Sequence, residues 1–270
     1  MAWVLAWVCV WAPACFFSGH PCAWQVFRVR TSSGAHVRGE SVFLVILPKA
    51  VMSVSLKIDF VSDIACPWCA VGLGALEKAL AQLDGEVSAD LHFQPFELNP
   101  HMPPGGQDLG EHLSEKYGST PEQQAQIRQT IAARGAEVGF EFHPGGRGRV
   151  YNTFNAHRLL HWAEGQGEGA QHALKKAFLQ AYQGRAECME DAQVLLAGVA
   201  AAGLDVAAAR EVLDSDAHAA EVRERQQFYA QAGIRSVPAI IINDKHLISG
   251  GQPVEVFEQA LRRIASGEVS

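Results

Sequence analysis

Cys66-Pro67-Trp68-Cys69 stands where an apolar run, Leu56 to Val61, gives way to a helix-like run, Val71 to Leu83. A dithiol at a strand-to-helix turn is a redox-site signature. The spacing sets the two sulfurs one helical turn apart, close enough to close a small disulfide ring. It also puts Cys66 at the helix N-terminus, where free backbone N–H groups face its thiolate. Such surroundings lower a cysteine pKa from about 8.5 to roughly 3.5–7.5, and the thiolate is the form that attacks disulfides. The stretch therefore predicts thiol-disulfide exchange with Cys66 as nucleophile. Two other readings stand beside it. A lone C-x-x-C is also half of a zinc site, although no second C-x-x-C supplies paired ligands; and two cysteines can simply be buried and inert. Pro67 favours the redox reading, because proline suits the first turn of a helix.

Outward from the motif, Leu56, Ile58 and Phe60 alternate with Lys57, Asp59 and Val61, a strand with one face more deeply buried. The helix after the motif keeps Leu73, Leu76, Leu80 and Leu83 on one stripe and stops near Asp84-Gly85. A second strand is predicted over Ala89 to Phe96, and a parallel return would make this the opening half of a thioredoxin-like sheet. Asn99 to Gln107 reads as a loop. Helices are predicted over Leu109–Tyr117, Pro121–Val138 with Thr120 as N-cap, Asn152–Glu164, Ala170–Gln183, Ala192–Ala202, Ala207–Leu213 and Ala217–Ala232, the last closed by Gly233. The basic, glycine-rich run Phe142 to Gly148 is either a mobile cleft rim or an ordinary connector. Ala239 to Ile242 is a β-branched strand, Asn243-Asp244 a hairpin turn into His246–Ser249, and Pro253 opens a final helix with Val256, Phe257, Leu261 and Ile264 on one face.

The fold class that follows is α/β: a thioredoxin-like fold with an inserted all-helical domain, its sheet split in sequence around the helices. The segments are 52–104 and 233–270 for the two thioredoxin-like halves and 105–232 for the insert. Residues 1–51 differ in composition, with four of the six tryptophans and three of the six cysteines. Four basic residues against Glu40 give this segment +3, which leaves −10 of the overall −7 for the remainder. It is expected to be a disordered leader or upstream sequence read from a wrong start, with the natural chain beginning at Met52; the apolar run 2–17 lacks the basic start of a signal peptide and is short for a membrane span. The localisation expected is cytoplasmic, or exported if 1–51 acts as a leader. The acidic balance and the absence of a basic stripe argue against nucleic acid.

Ser236-Val237-Pro238 precedes the late strand. A proline opening a strand lacks only a ladder N–H; were the Val237–Pro238 bond cis, the Val237 backbone would turn outward, ready to pair with an extended substrate peptide. The order of these parts resembles DsbA-like thiol oxidoreductases of the thioredoxin superfamily, the FrnE-like subgroup in particular, from about Lys57 to Ile264. The matching signatures are Asp59-Phe60-Val61-Ser62-Asp63, Pro95-Phe96-Glu97-Leu98-Asn99-Pro100, Tyr151-Asn152-Thr153 with Ala156-His157-Arg158, and Ser249-Gly250-Gly251-Gln252-Pro253. The resemblance implies that Cys66 attacks, Cys69 resolves and Pro238 is the cis-proline facing them, with Pro67, Trp68 and Val237 in support. It also implies that Asn152, Thr153 and His157 line a cleft facing Cys66, against the plainer reading of a helix cap and packing. Some members carry a further cysteine pair; here Cys188 stands alone and reads as a small buried hydrophobe.

Exchange through a mixed disulfide with protein or small-thiol disulfide substrates is the function expected. It needs no metal or organic cofactor, with glutathione as a candidate redox partner and no membrane span. Two alternatives remain. One is a glutathione-dependent isomerase or transferase of the 2-hydroxychromene-2-carboxylate isomerase or kappa type, against which Cys69 counts. The other is a chaperone-like peptide-binding module.

Overall fold

In a computed structural model, the structure describes residues 53–268 together with two short strands, β1 (Trp24–Phe27) and β2 (Val45–Pro48), which pair antiparallel. The expectations for the rest of 1–51 lie outside the described residues. Residues 53–270 form one compact unit.

Its sheet has the order β4-β3-β7-β8. β3 (Val54–Ser62) runs parallel to β4 (Val87–Pro95), with Phe60 opposite Phe93, and antiparallel to β7 (Ala239–Ile242), with Phe60 opposite Ile240. β7 turns into β8 (His246–Ser249) through Asn243 and Asp244, both left-handed at φ 52° and 56°, the mirror-image turn whose twist matches a hairpin. Leu56, Ile58 and Phe60 are buried, as the alternation predicts. Asp59 and Val61 on the other face are buried too, because Tyr229 and Ile234 close over Val61 and Ala239. Each fully buried Ile or Phe side chain contributes about 1.5–3 kcal/mol.

The crossover between β3 and β4 is α1 (Pro67–Gln82), with Pro67 at its first turn. It starts four residues earlier than the apolar stripe suggests, because the helix register is set by the cysteine turn and not by the first leucine. Between β4 and β7 come a two-residue bridge, β5 (Gln107–Asp108) with β6 (Arg149–Val150), and seven helices: α2 (Leu109–Tyr117), α3 (Pro121–Val138), α4 (Phe154–Glu164), α5 (Ala170–Leu179), α6 (Ala192–Ala201), α7 (Val206–Leu213) and α8 (Ala219–Gln231). Thr120 forms a full capping box with Gln123 at the head of α3, and Asp191 and Asp205 cap α6 and α7. α9 (Val254–Ala265) packs on α1. Among the described residues no helix is long and apolar enough to cross a membrane.

Three expectations need correction. The 170–183 helix relaxes into a π-turn at Gln180–Gly184. Val256 on α9 is exposed while Phe257 and Leu261 are buried; it lies a full 100° step from Phe257, off the stripe that faces α1. Cys188 is half-buried and outside the core, held on the turn that joins the π-turn to α6.

Candidate active site

The dithiol is built by the end of β3. Asp63 turns the chain: its Oδ1 accepts the Ala65 N–H at 3.0 Å and its Oδ2 accepts the Leu98 N–H at 2.8 Å, while its carbonyl accepts the Cys66 N–H at 3.1 Å. This fixes Cys66 as the N-cap of α1 (φ −92°, ψ 114°), and the Cys69 N–H donates to the Cys66 carbonyl at 3.1 Å. Cys66 is 5 % exposed and Cys69 0 %. The two thiols differ in kind. A hydrogen bond from the Cys69 thiol, together with the Cys69 and Trp68 backbone N–H groups, holds Cys66 below the ordinary thiol range against its burial and the Asp63 charge. Burial, then the neighbouring Cys66, pushes Cys69 well above that range.

Opposite stands the 237–238 loop. The Val237–Pro238 peptide is cis, and Cys66 Sγ lies 3.4 Å from the Val237 carbonyl oxygen. Trp68 and Pro67 are half-buried. The stretch Ser249 to Pro253 closes the far side. A side chain at Gly251 would meet the Trp68 carbonyl at 3.0 Å, so glycine lets this loop lie close against the head of α1, where a larger residue would push the two backbones apart.

Thr153 and His157 are buried, 3 % and 2 % exposed, and lie beneath the surface instead of lining an open cleft, because α4 packs its first turn into the core. His157 Nε2 is 3.5 Å from Asp63 Oδ1, a close polar contact that favours the Asp63 carboxylate without the alignment of a full hydrogen bond. Asn152, just ahead of the N-cap Thr153, accepts the N–H of Phe154, the first residue of α4, through its Oδ1 at 2.9 Å. His157 and His161 have metal-pair spacing on α4 but part company, His161 leaning toward Glu164; among the described residues no three His, Cys, Asp or Glu are grouped to hold a metal ion.

Two residues here escape the sequence reading. Arg147, in the glycine-rich run, donates to the Ala65 carbonyl just before Cys66 and lies over the Tyr182 ring at 5.1 Å; the run is thus anchored to the active-site turn. Lys175 is fully buried on α5. It stands within the stripe Gln171, Leu174, Phe178, a signal that periodicity offers and that its charge conceals. A groove of about 420 Å³ lies alongside, lined by Leu98, Asn99, Met102, His112 and Lys116 among others, with Leu98 bonded to both Asp63 and Lys116.

The chain is 34 % identical to a probable DsbA oxidoreductase from Streptomyces coelicolor, whose crystal structure it matches with a TM-score of 0.73 over 80 % of this chain and 92 % of that one. It is 28 % identical to the uncharacterized protein YwbO of Bacillus subtilis, over 78 % of this chain and 96 % of the relative. A 2-hydroxychromene-2-carboxylate isomerase shares the fold at a TM-score of 0.57 and 16 % identity, over 79 % of this chain and 100 % of that one. The DSBA-like thioredoxin domain family matches residues 57–262. That match runs from β3 into α9 and so takes in both halves of the sheet and every helix between them, which means that the chain as a whole, and not its dithiol alone, belongs to the DSBA-like thioredoxin family.

Proposed function

We propose that the chain is a protein thiol-disulfide oxidoreductase in which Cys66 attacks a substrate disulfide and Cys69 resolves the mixed disulfide. The observation that carries this reading is the division between the thiols: one at a helix head, with donors that favour its thiolate, and one sealed and held protonated directly behind it. A nucleophile needs the first property, and a resolving thiol that waits until a mixed disulfide has formed needs the second. The cycle uses no metal or organic cofactor, with glutathione as the candidate small-thiol reductant. In a cytoplasmic setting, as the sequence suggests, that poise favours reduction or isomerisation of substrate disulfides.

The test is reduction of insulin by the wild type, Cys66→Ser and Cys69→Ser. The expected result is activity only in the wild type, with Cys69→Ser accumulating a covalent adduct with substrate and Cys66→Ser forming none. Undiminished turnover of a small aromatic substrate by Cys69→Ser would instead support the isomerase or transferase alternative. Peptide binding without turnover by the wild type would support the chaperone-like one.

A further inference from the structure

The side chains of β3 alternate between the two faces of the sheet. Leu56, Ile58 and Phe60 turn toward α1, where a Cβ at Gly72 would come within 3.8 Å of the Phe60 ring; Lys57 and Asp59 turn the other way. On that second face a cavity of about 750 Å³ opens between β3, β4, the end of α4 and α8. Its floor is polar and deeply set, Asp59 being 3 % exposed and Gln94 4 %. Arg225 of α8 donates to Gln94 Oε1 at 3.0 Å, Gln94 Nε2 donates to Asp59 Oδ1 at 2.6 Å, and Lys57 reaches Asp59 Oδ2 at 3.1 Å and then Asp244. Charge on the floor is therefore compensated within the fold, as burial demands.

The wall formed by α8 is not compensated. Five of the side chains lining the cavity are carboxylates and two, Lys57 and Arg225, are cations. Glu164, at the end of α4, is met by His92 at 3.3 Å, His161 at 3.8 Å and Arg225 at 3.9 Å. Glu221 and Glu224 share one face of α8 and enter no ion pair among the described residues; like charges close together on a helix face destabilise it. One turn further on, Phe228 lines the cavity and is 62 % exposed, its ring edge-on to Tyr229 at 5.1 Å. Unpaired carboxylates beside an open aromatic ring favour an organic cation, through ion pairing at its charges and cation–π contact. From Glu221 to Tyr229 the wall runs about 12 Å, which suits a linear chain. Side chains three apart on a helix stand about 5–6 Å from one another, a gap that roughly three or four methylenes span between two ammonium groups.

We propose that this cavity binds a linear cation carrying two or more ammonium groups, with its charges on Glu221 and Glu224 and its aliphatic chain along Phe228. The polar floor of Asp59 and Gln94 sets the depth of the site, and Glu164 supplies a further acceptor on the opposite wall. Two sources offer this chemistry, a free polyamine and the lysine side chains of a protein segment. The site shares no side chain with the dithiol and lies across the sheet from α1, so it does not depend on the exchange reading.

The experiment is calorimetric titration of the full chain with spermidine at constant ionic strength, with circular dichroism as the check that each variant folds. Wild type should show saturable binding. Glu221→Gln/Glu224→Gln should weaken it roughly 2- to 30-fold, and Phe228→Ala about 2- to 5-fold. Glu141→Gln/Glu255→Gln removes two exposed carboxylates elsewhere and should leave the affinity unchanged. Absence of saturable binding at millimolar spermidine and trilysine overturns the proposal, as does undiminished affinity in Glu221→Gln/Glu224→Gln. Equal weakening in Glu141→Gln/Glu255→Gln overturns it too, because it marks attraction to the net charge of the chain and not to this cavity. Trilysine in place of spermidine separates the sources: tighter binding that Glu221→Gln/Glu224→Gln weakens assigns the cavity to lysines of a protein segment, and weaker binding assigns it to a free polyamine.

Discussion

Cys66 Sγ meets the carbonyl oxygen of Val237 at 3.4 Å, joining positions 171 residues apart in sequence. A carbonyl accepts from a thiol and repels a thiolate, so this contact alone favours the protonated form. The Cys69 thiol and the N–H groups of Cys69 and Trp68 point the other way and prevail. Iodoacetamide alkylation of Cys66 against pH should show a midpoint below the ordinary thiol value of about 8.5. The largest cause is the Cys69 thiol, so Cys69→Ala should raise the midpoint, while Cys69→Ser, which keeps a donor, should raise it less. An unmoved midpoint in Cys69→Ala would assign the effect to the helix head alone.

Asp63 is the hinge pin of the active-site turn, and its ionisation is linked to stability. Burial pushes its pKa up, but His157 and the Leu98 and Ala65 N–H groups more than offset this and leave it below the usual carboxylate range. A depressed folded-state pKa stabilises the protein above the unfolded-state value of about 3.9 and loses that contribution as pH falls through the folded-state value. Asp63→Asn places an amide where two N–H groups need acceptors and should cost about 1–3 kcal/mol at pH 7. Urea unfolding at pH 7 and pH 3 reads both effects: the gap between wild type and Asp63→Asn should narrow at the lower pH. A constant gap would separate Asp63 ionisation from folding.

These charges mark the limit of what the sequence made legible. Cys66-Pro67-Trp68-Cys69, the alternation of β3, Thr120 as a cap and the Asn243-Asp244 turn are local patterns, and local physics reproduces them. Asp63, His157 and Lys175 acquire their meaning only when α4 and α5 fold back over β4, since neither burial nor partner is encoded within a single element. Arg147 is similar: its glycine-rich surroundings announce a loop, but not that the loop docks on Ala65. The Asn152–His157 stretch left two readings open, a cleft wall and a helix cap with packing, because a polar run at a helix head suits both, and burial of Thr153 and His157 is set only by what packs over them.

Arg147 offers a stability test. Its guanidinium donates to the Ala65 carbonyl while covering the Tyr182 ring, and both roles use a planar fork that lysine lacks. Arg147→Ala should cost about 1–2 kcal/mol in urea unfolding, and Arg147→Lys should recover less than half of it. A double-mutant cycle with Tyr182→Leu should return a coupling of about 0.5–1 kcal/mol. No coupling would mean that the stacking contributes nothing and that the carbonyl bond alone holds the loop.

The tightest constraint on the site is steric. A Cβ at Gly72 would sit 3.1 Å from Pro238 Cγ and 3.4 Å from the Gly251 Cα. Pro238 is buried and its ring is held by the loop that carries Val237, while Gly251 offers only backbone, so neither neighbour is the free end of a flexible chain. Gly72→Ala gains about 1 kcal/mol of helix propensity and loses about 1–3 kcal/mol to overpacking. The net should be a loss of up to about 2 kcal/mol in urea unfolding. More telling is the direction of the displacement: relief requires α1 and the 237–238 loop to move apart, which lengthens the contact between Cys66 Sγ and the Val237 carbonyl. Loss of that acceptor removes an interaction that favours the protonated thiol, so the Cys66 alkylation midpoint should fall as stability falls. A Gly72→Ala protein that is destabilised with an unchanged midpoint would show that the thiol environment is set within α1 and is independent of the loop it faces.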